Sequence, residues 1–127
     1  MLSQRTQELL ERLETCLRDA AVLEVSPRCR YFAAQDVAVL AALIIAEREE
    51  GRIRWHARCD VLAYLRDHSF ASTGLRAHVQ KLARFDREDY DCTHCFTQSE
   101  ANSALVSAAR IYTALRWKLL EQYIAAG

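Results

Sequence analysis

The chain has 127 residues, as many acidic as basic side chains, four histidines and five cysteines. That length fits one domain, 1–127, able to bury its own core without staples, and a 51% hydrophobic composition excludes a disordered chain. With three glycines and one proline, a turn-rich β-sandwich is excluded too. The expected fold is all-α, a compact bundle of about five helices with a helix-turn-helix-like pair in the middle.

The first predicted helix runs from Thr6 to Leu23. Ser3 or Thr6 caps it, and Leu9, Leu13, Cys16, Leu17 and Ala20 make one apolar stripe. "EVSPRCRYF" (24–32) reads as a linker, because the residue before Pro27 avoids helical geometry. Cys29 sits there between two arginines. The second helix spans about Ala34 to Glu50 and stops at Gly51. Its apolar residues cover most of its circumference, which suits the centre of a bundle, with burial in a homodimer as an addition.

Ile53 and Trp55 alternate with Arg52 and Arg54, which suggests a short extended piece. A helix through Val61, Leu62 and Leu65 follows. After the break "DHSFAST" a further helix opens at Ser72 or Thr73 and carries Leu75, Val79 and Leu82 inward. An acidic loop occupies 85–97, and the last helix spans about Glu100 to Ala125.

No apolar leader follows the N-terminus, and the run "VAVLAALIIA" (37–46) is about half the length of a membrane helix. The chain is therefore expected to be cytoplasmic, with no membrane partner. Its cysteines then read as thiols or metal ligands.

Zero net charge hides a pattern. Residues 51–84 carry seven basic against two acidic side chains, and residues 85–100 carry one against five. Such neighbours imply an anion-binding face or mutual pairing. The stretch "FASTGLRAHVQKL" resembles the recognition helix of winged-helix and related bacterial regulators. That resemblance implies a DNA-binding regulator, with Arg76, Gln80, Lys81 and Arg84 facing outward to read bases, as arginine reads guanine and glutamine adenine. Arg52, Arg54, Arg58 and Arg66 would contact phosphates. The acidic continuation "DREDYD" departs from the basic hairpin of a winged helix. The rival expectation is an adaptor or inhibitor whose arginines dock on an acidic protein surface.

His56 and Cys59 are spaced for one helical face, and Cys92 and Cys95 form a Cys-x-x-Cys pair. Together they offer one imidazole and three thiolates to a tetrahedral zinc. Cys29, His68, His78 or His94 is a possible substitute ligand. A redox dithiol is the other reading of Cys92 and Cys95. All-helical proteins of the carboxymuconolactone decarboxylase type place such a pair at a helix start, but they add a histidine where this chain has Ser99. No glycine-rich phosphate loop, nucleophile elbow or two-histidine metalloprotease motif occurs, so a non-enzymatic protein is expected.

Overall fold

The computed structural model describes residues 2–51, 57–68, 70–87 and 93–126, with side chains through residue 121. Among them the chain is all-helical: α1 (Gln4–Ala20), α2 (Pro27–Glu50), α3 (Arg58–Asp67), α4 (Thr73–Leu82) and α5 (Gln98–Ala126) pack into a small bundle. Arg52, Arg54, His56 and Cys92 lie outside the described residues.

Ser3 caps α1, its hydroxyl oxygen accepting from the Thr6 amide at 3.1 Å. Leu9 and Leu13 are fully buried beneath it. The sequence places a linker where α2 begins. Pro27 does not simply stop the first helix; it opens the second. Ser26 accepts from the Cys29 amide at 3.2 Å, and Pro27 stands in the first turn, where its missing N–H costs nothing and its fixed φ suits a helix. Cys29 is thus a first-turn residue, exposed. At the other end Gly51 adopts φ 73°, a left-handed cap that favours glycine, and its N–H bonds the Glu47 carbonyl at 3.2 Å.

By length and composition α2 could cross a membrane, yet 72% of its most apolar window is buried inside the bundle. Val37, Ala41, Ala42 and Ile44 are fully buried, and burying a Val or Ile stabilises by about 1.5–3 kcal/mol. The other four helices all touch α2. Polar contacts near both ends set the directions. Arg30 ties α2 to the end of α1 and the start of α5, and Glu49 meets Lys118 at 3.6 Å. The Tyr112 hydroxyl of α5 reaches Glu14 of α1 at 2.5 Å. So α2 and α5 run the same way and α1 runs against both.

Arg30 is fully buried. Its Nε donates to the Ala20 carbonyl at 2.9 Å, Nη1 to Gln98 at 2.5 Å and Nη2 to Asn102 at 2.8 Å. The carbonyl end of α1 is where a cation is favoured, so one side chain closes three helix ends.

The connection from α3 to α4 turns on His68. Its Nδ1 accepts from the Phe70 amide at 2.8 Å, which leaves Nε2 to donate to Glu49 at 2.6 Å. The side chain is only 11% exposed, so it is a structural brace, not the solvated histidine its sequence position suggests. Thr97 and Glu100 form a capping box on α5. The Thr97 amide donates to the Glu100 carboxylate at 2.9 Å, and the Glu100 amide donates to the Thr97 hydroxyl at 3.1 Å.

Candidate nucleic-acid interface

Helix α4 is fixed at both ends. Ser72 caps its start, accepting from the Leu75 amide at 3.3 Å. Its last carbonyls are claimed from α2. The Tyr31 hydroxyl donates to Lys81 O at 2.9 Å and is 3.1 Å from Leu82 O. The Gln35 amide nitrogen donates to Leu82 O and Phe85 O, both at 2.8 Å. Gln35 is 2% exposed, and its carbonyl oxygen accepts from Arg58 Nη2 at 2.9 Å. Burial pushes the Tyr31 phenol up to about 12. The polar pair Gln35 and Asp36 among the alanines and valines of 33–39 is the sequence signal for this hub, and its meaning needs the fold.

The same contacts orient α3 against α4. Gln35 touches the first turn of α3 and the last turn of α4. At the far end Arg76 Nε donates to the Arg66 carbonyl at 3.1 Å. Opposite ends meet, so the two ten-residue helices run antiparallel. A cleft of 230 Å³ lies between them, lined by Arg58, Cys59, Leu62, Val79, Gln80 and Asp86 among others.

Helix α4 buries Leu75, Val79 and Leu82. At about 100° per residue, the opposite face carries Thr73, Ala77, Gln80 and Lys81, all exposed, and exposed Arg84 follows just past the end of the helix. Arg76 flanks that face on the α3 side. His78 flanks it on the α5 side, meeting the buried Ser107 hydroxyl at 2.9 Å. Burial lowers the His78 pKa, helped by Lys81 and Arg110.

The arginines and lysine divide into two groups. Arg58 is held by Asp36, which Arg87 also approaches at 3.2 Å. Arg66 forks onto its neighbour Asp67 at 2.9 and 3.0 Å, and that contact holds the Asp67 carboxyl below its ordinary range. By contrast Lys81 donates to the neutral Ser103 hydroxyl at 3.0 Å. Arg84 lies over the Phe85 ring at 5.0 Å, and Arg76 donates to a carbonyl, near enough to Asp67 for its charge to help hold that carboxyl down. None of these three forms an ion pair with a carboxylate among the described residues.

An aromatic corner fixes the chain on both sides of the acidic segment. Phe85 stacks on His94 at 4.3 Å, and Phe96 meets Tyr31 at 5.0 Å and Phe32 at 5.5 Å. His94 also meets Glu100 at 2.7 Å. The Thr97 amide first, and His94 after it, hold the Glu100 carboxyl below its ordinary value.

The four residues expected to share zinc are split by what is described. Cys59 and Cys95 are exposed, while His56 and Cys92 lie outside the described residues. Of the substitute ligands, the histidines are engaged elsewhere, His68 with Glu49, His78 with Ser107 and His94 with Glu100, and Cys29 is exposed in the first turn of α2. Among the described residues no group of three or more His, Cys, Asp or Glu side chains is arranged to hold a metal. No protein family, curated protein or solved structure matches this chain.

Proposed function

We propose that this chain is a small non-enzymatic binding protein that engages duplex DNA through the outward face of α4, as a regulator would. The observation that carries the reading is the contrast among its cations. Arg58, Arg66 and Arg87 are matched by carboxylates of their own chain, whereas among the described residues Arg76, Lys81 and Arg84 form no ion pair. Cations held on or beside a rigid helix without an ion-pair partner can displace counterions from phosphates. Gln80 stands on the same face with an amide suited to adenine. Anchoring by Tyr31 and Gln35 removes much of the ordering cost such a face would otherwise incur on binding.

A salt titration of binding to random duplex DNA tests this. Three phosphate contacts give a log–log slope of about −3, since each contributes about −0.9. The double substitution Lys81→Glu with Arg84→Glu should weaken binding at least about tenfold and leave helix content unchanged. No binding of the full chain at low salt eliminates the DNA reading and leaves an acidic protein surface as the partner of this face. A zinc shared by His56, Cys59, Cys92 and Cys95 is tested separately, by metal analysis of untagged protein. One equivalent per chain supports it, and less than about a tenth removes it.

A further inference from the structure

Helix α5 departs from the pattern of a surface helix. Its inner face is closed by Ala104, Ala108, Ile111, Leu115 and Leu119, each 6% exposed or less. The face turned away from that core ought to be charged. Instead it carries Val106, Ala109, Thr113, Trp117 and Leu120, at steps of three, four, four and three. Trp117 is 61% exposed, Val106 53% and Leu120 47%. The flanks are occupied by the chain's own helices. On one side Tyr112 and Arg116 reach Glu14 of α1. On the other, Ser103 and Ser107 meet Lys81 and His78 of α4. Among the described residues, only the middle is left without a neighbouring helix. A shallow groove runs along it, lined by Tyr112, Thr113, Arg116, Trp117 and Leu120.

Charge indicates what fits there. Arg110 and Glu121 lie along one edge of the bare face, both exposed, and neither forms an ion pair among the described residues. A twofold axis beside residue 115 sets a second α5 antiparallel to the first. That operation returns the same edge of each helix to the same side. Arg110 then meets Glu121 of the second copy, and Glu121 meets Arg110 of the second copy. Trp117 of each lies against Thr113 of the other. Arg116, on the opposite edge, brings little repulsion because Glu14 lies 3.7 Å from it.

We propose that this chain forms a twofold homodimer through the outward face of α5, with Trp117 packed on Thr113 and Arg110 paired with Glu121 across the axis. The bare stripe from Val106 to Leu120 spans about 21 Å of helix. A stripe of that length makes a small interface, so the dimer is expected to form only as concentration is raised. The inference is independent of the DNA reading, since α4's outward residues take no part.

Sedimentation equilibrium of the full chain from low micromolar to near-millimolar concentration tests it. Wild type should pass from monomer to dimer. Trp117→Glu should remain monomeric with unchanged helix content, because the side chain it replaces is exposed. Arg110→Glu should weaken the dimer at least fivefold, and adding Glu121→Arg should restore most of that loss. A wild type that stays monomeric throughout overturns the proposal, as does a Trp117→Glu variant that dimerises as wild type does. If the charge swap restores nothing, the stated register is wrong.

Discussion

Helices α2 and α5 are both apolar over most of their circumference, and they end up in opposite situations. All four other helices surround α2, so its apolar residues are used within the chain. Among the described residues α5 has helices against three sides and none against the fourth, where Val106, Trp117 and Leu120 are exposed. The lesson is that all-round hydrophobicity specifies a number of neighbours, not a position. Under the proposal above, the homodimer expected from the apolar pattern of α2 is supplied by α5, because most of α2's apolar residues are buried within the chain.

The contrast should first appear in stability. Ile44→Ala, in the middle of α2, is expected to cost about 2–5 kcal/mol, read by urea denaturation. Trp117→Ser, at low protein concentration, should stay within about 0.5 kcal/mol of wild type. Equal costs would mean that the two helices are not differently enclosed.

Next in size is the polar hub on α2. Gln35→Leu keeps the shape but removes the side-chain donor to the Phe85 carbonyl and leaves Leu82 O with the Tyr31 hydroxyl alone, at a cost of about 1–3 kcal/mol. The same denaturation series measures it. Arg58 keeps Asp36 in that variant, so the loss should fall short of that for Ile44→Ala.

A third effect depends on pH. The Tyr31 phenol is raised from 10.0 to about 12, mainly by burial. Its contribution is complete below 10 and is lost as pH rises through the folded value. Stability should fall by on the order of 1–2 kcal/mol across that window, and Tyr31→Phe should flatten most of the slope. Acid acts in the other direction and more weakly. His78 and Glu100 are both depressed in the fold, from 6.5 and 4.5. Each contribution is complete above its ordinary value and is lost as pH falls through the folded one. Urea midpoints measured downward from pH 7 should therefore decline in two steps.

The smallest effect is chemical. Burial, and then the nearby Asp36 carboxylate, push the Cys16 thiol up. Maleimide labelling followed by peptide mapping should therefore modify Cys29, Cys59 and Cys95, all exposed, before Cys16.

Much of the architecture was legible in the sequence, and the reasons differ from place to place. The stripes of α1 and α4, the Ser72 cap and the Gly51 stop are local signals, and local physics decided them. Pro27 was misread because the same residue that forbids helix before it favours helix after it. Only the Ser26 hydroxyl, already suited to capping, pointed to the second role. The pairing of Arg58 with Asp36, the hub at Gln35 and the buried Arg30 join residues far apart in the chain, and no periodicity encodes such meetings. The outward residues of α4 followed from its helical stripe. The neutralisation of Arg58 and Arg66 did not, and that removed two cations from the face offered to a nucleic acid.

The bare face of α5 can be tested most directly by isotope-filtered NMR on an equal mixture of labelled and unlabelled full-length chain. Cross-peaks between the Trp117 indole of one copy and the Thr113 methyl of the other are predicted. If, at concentrations well above micromolar, no intermolecular contact to residues 106–120 is found and the indole stays open to solvent paramagnetic probes, the account of α5 is contradicted.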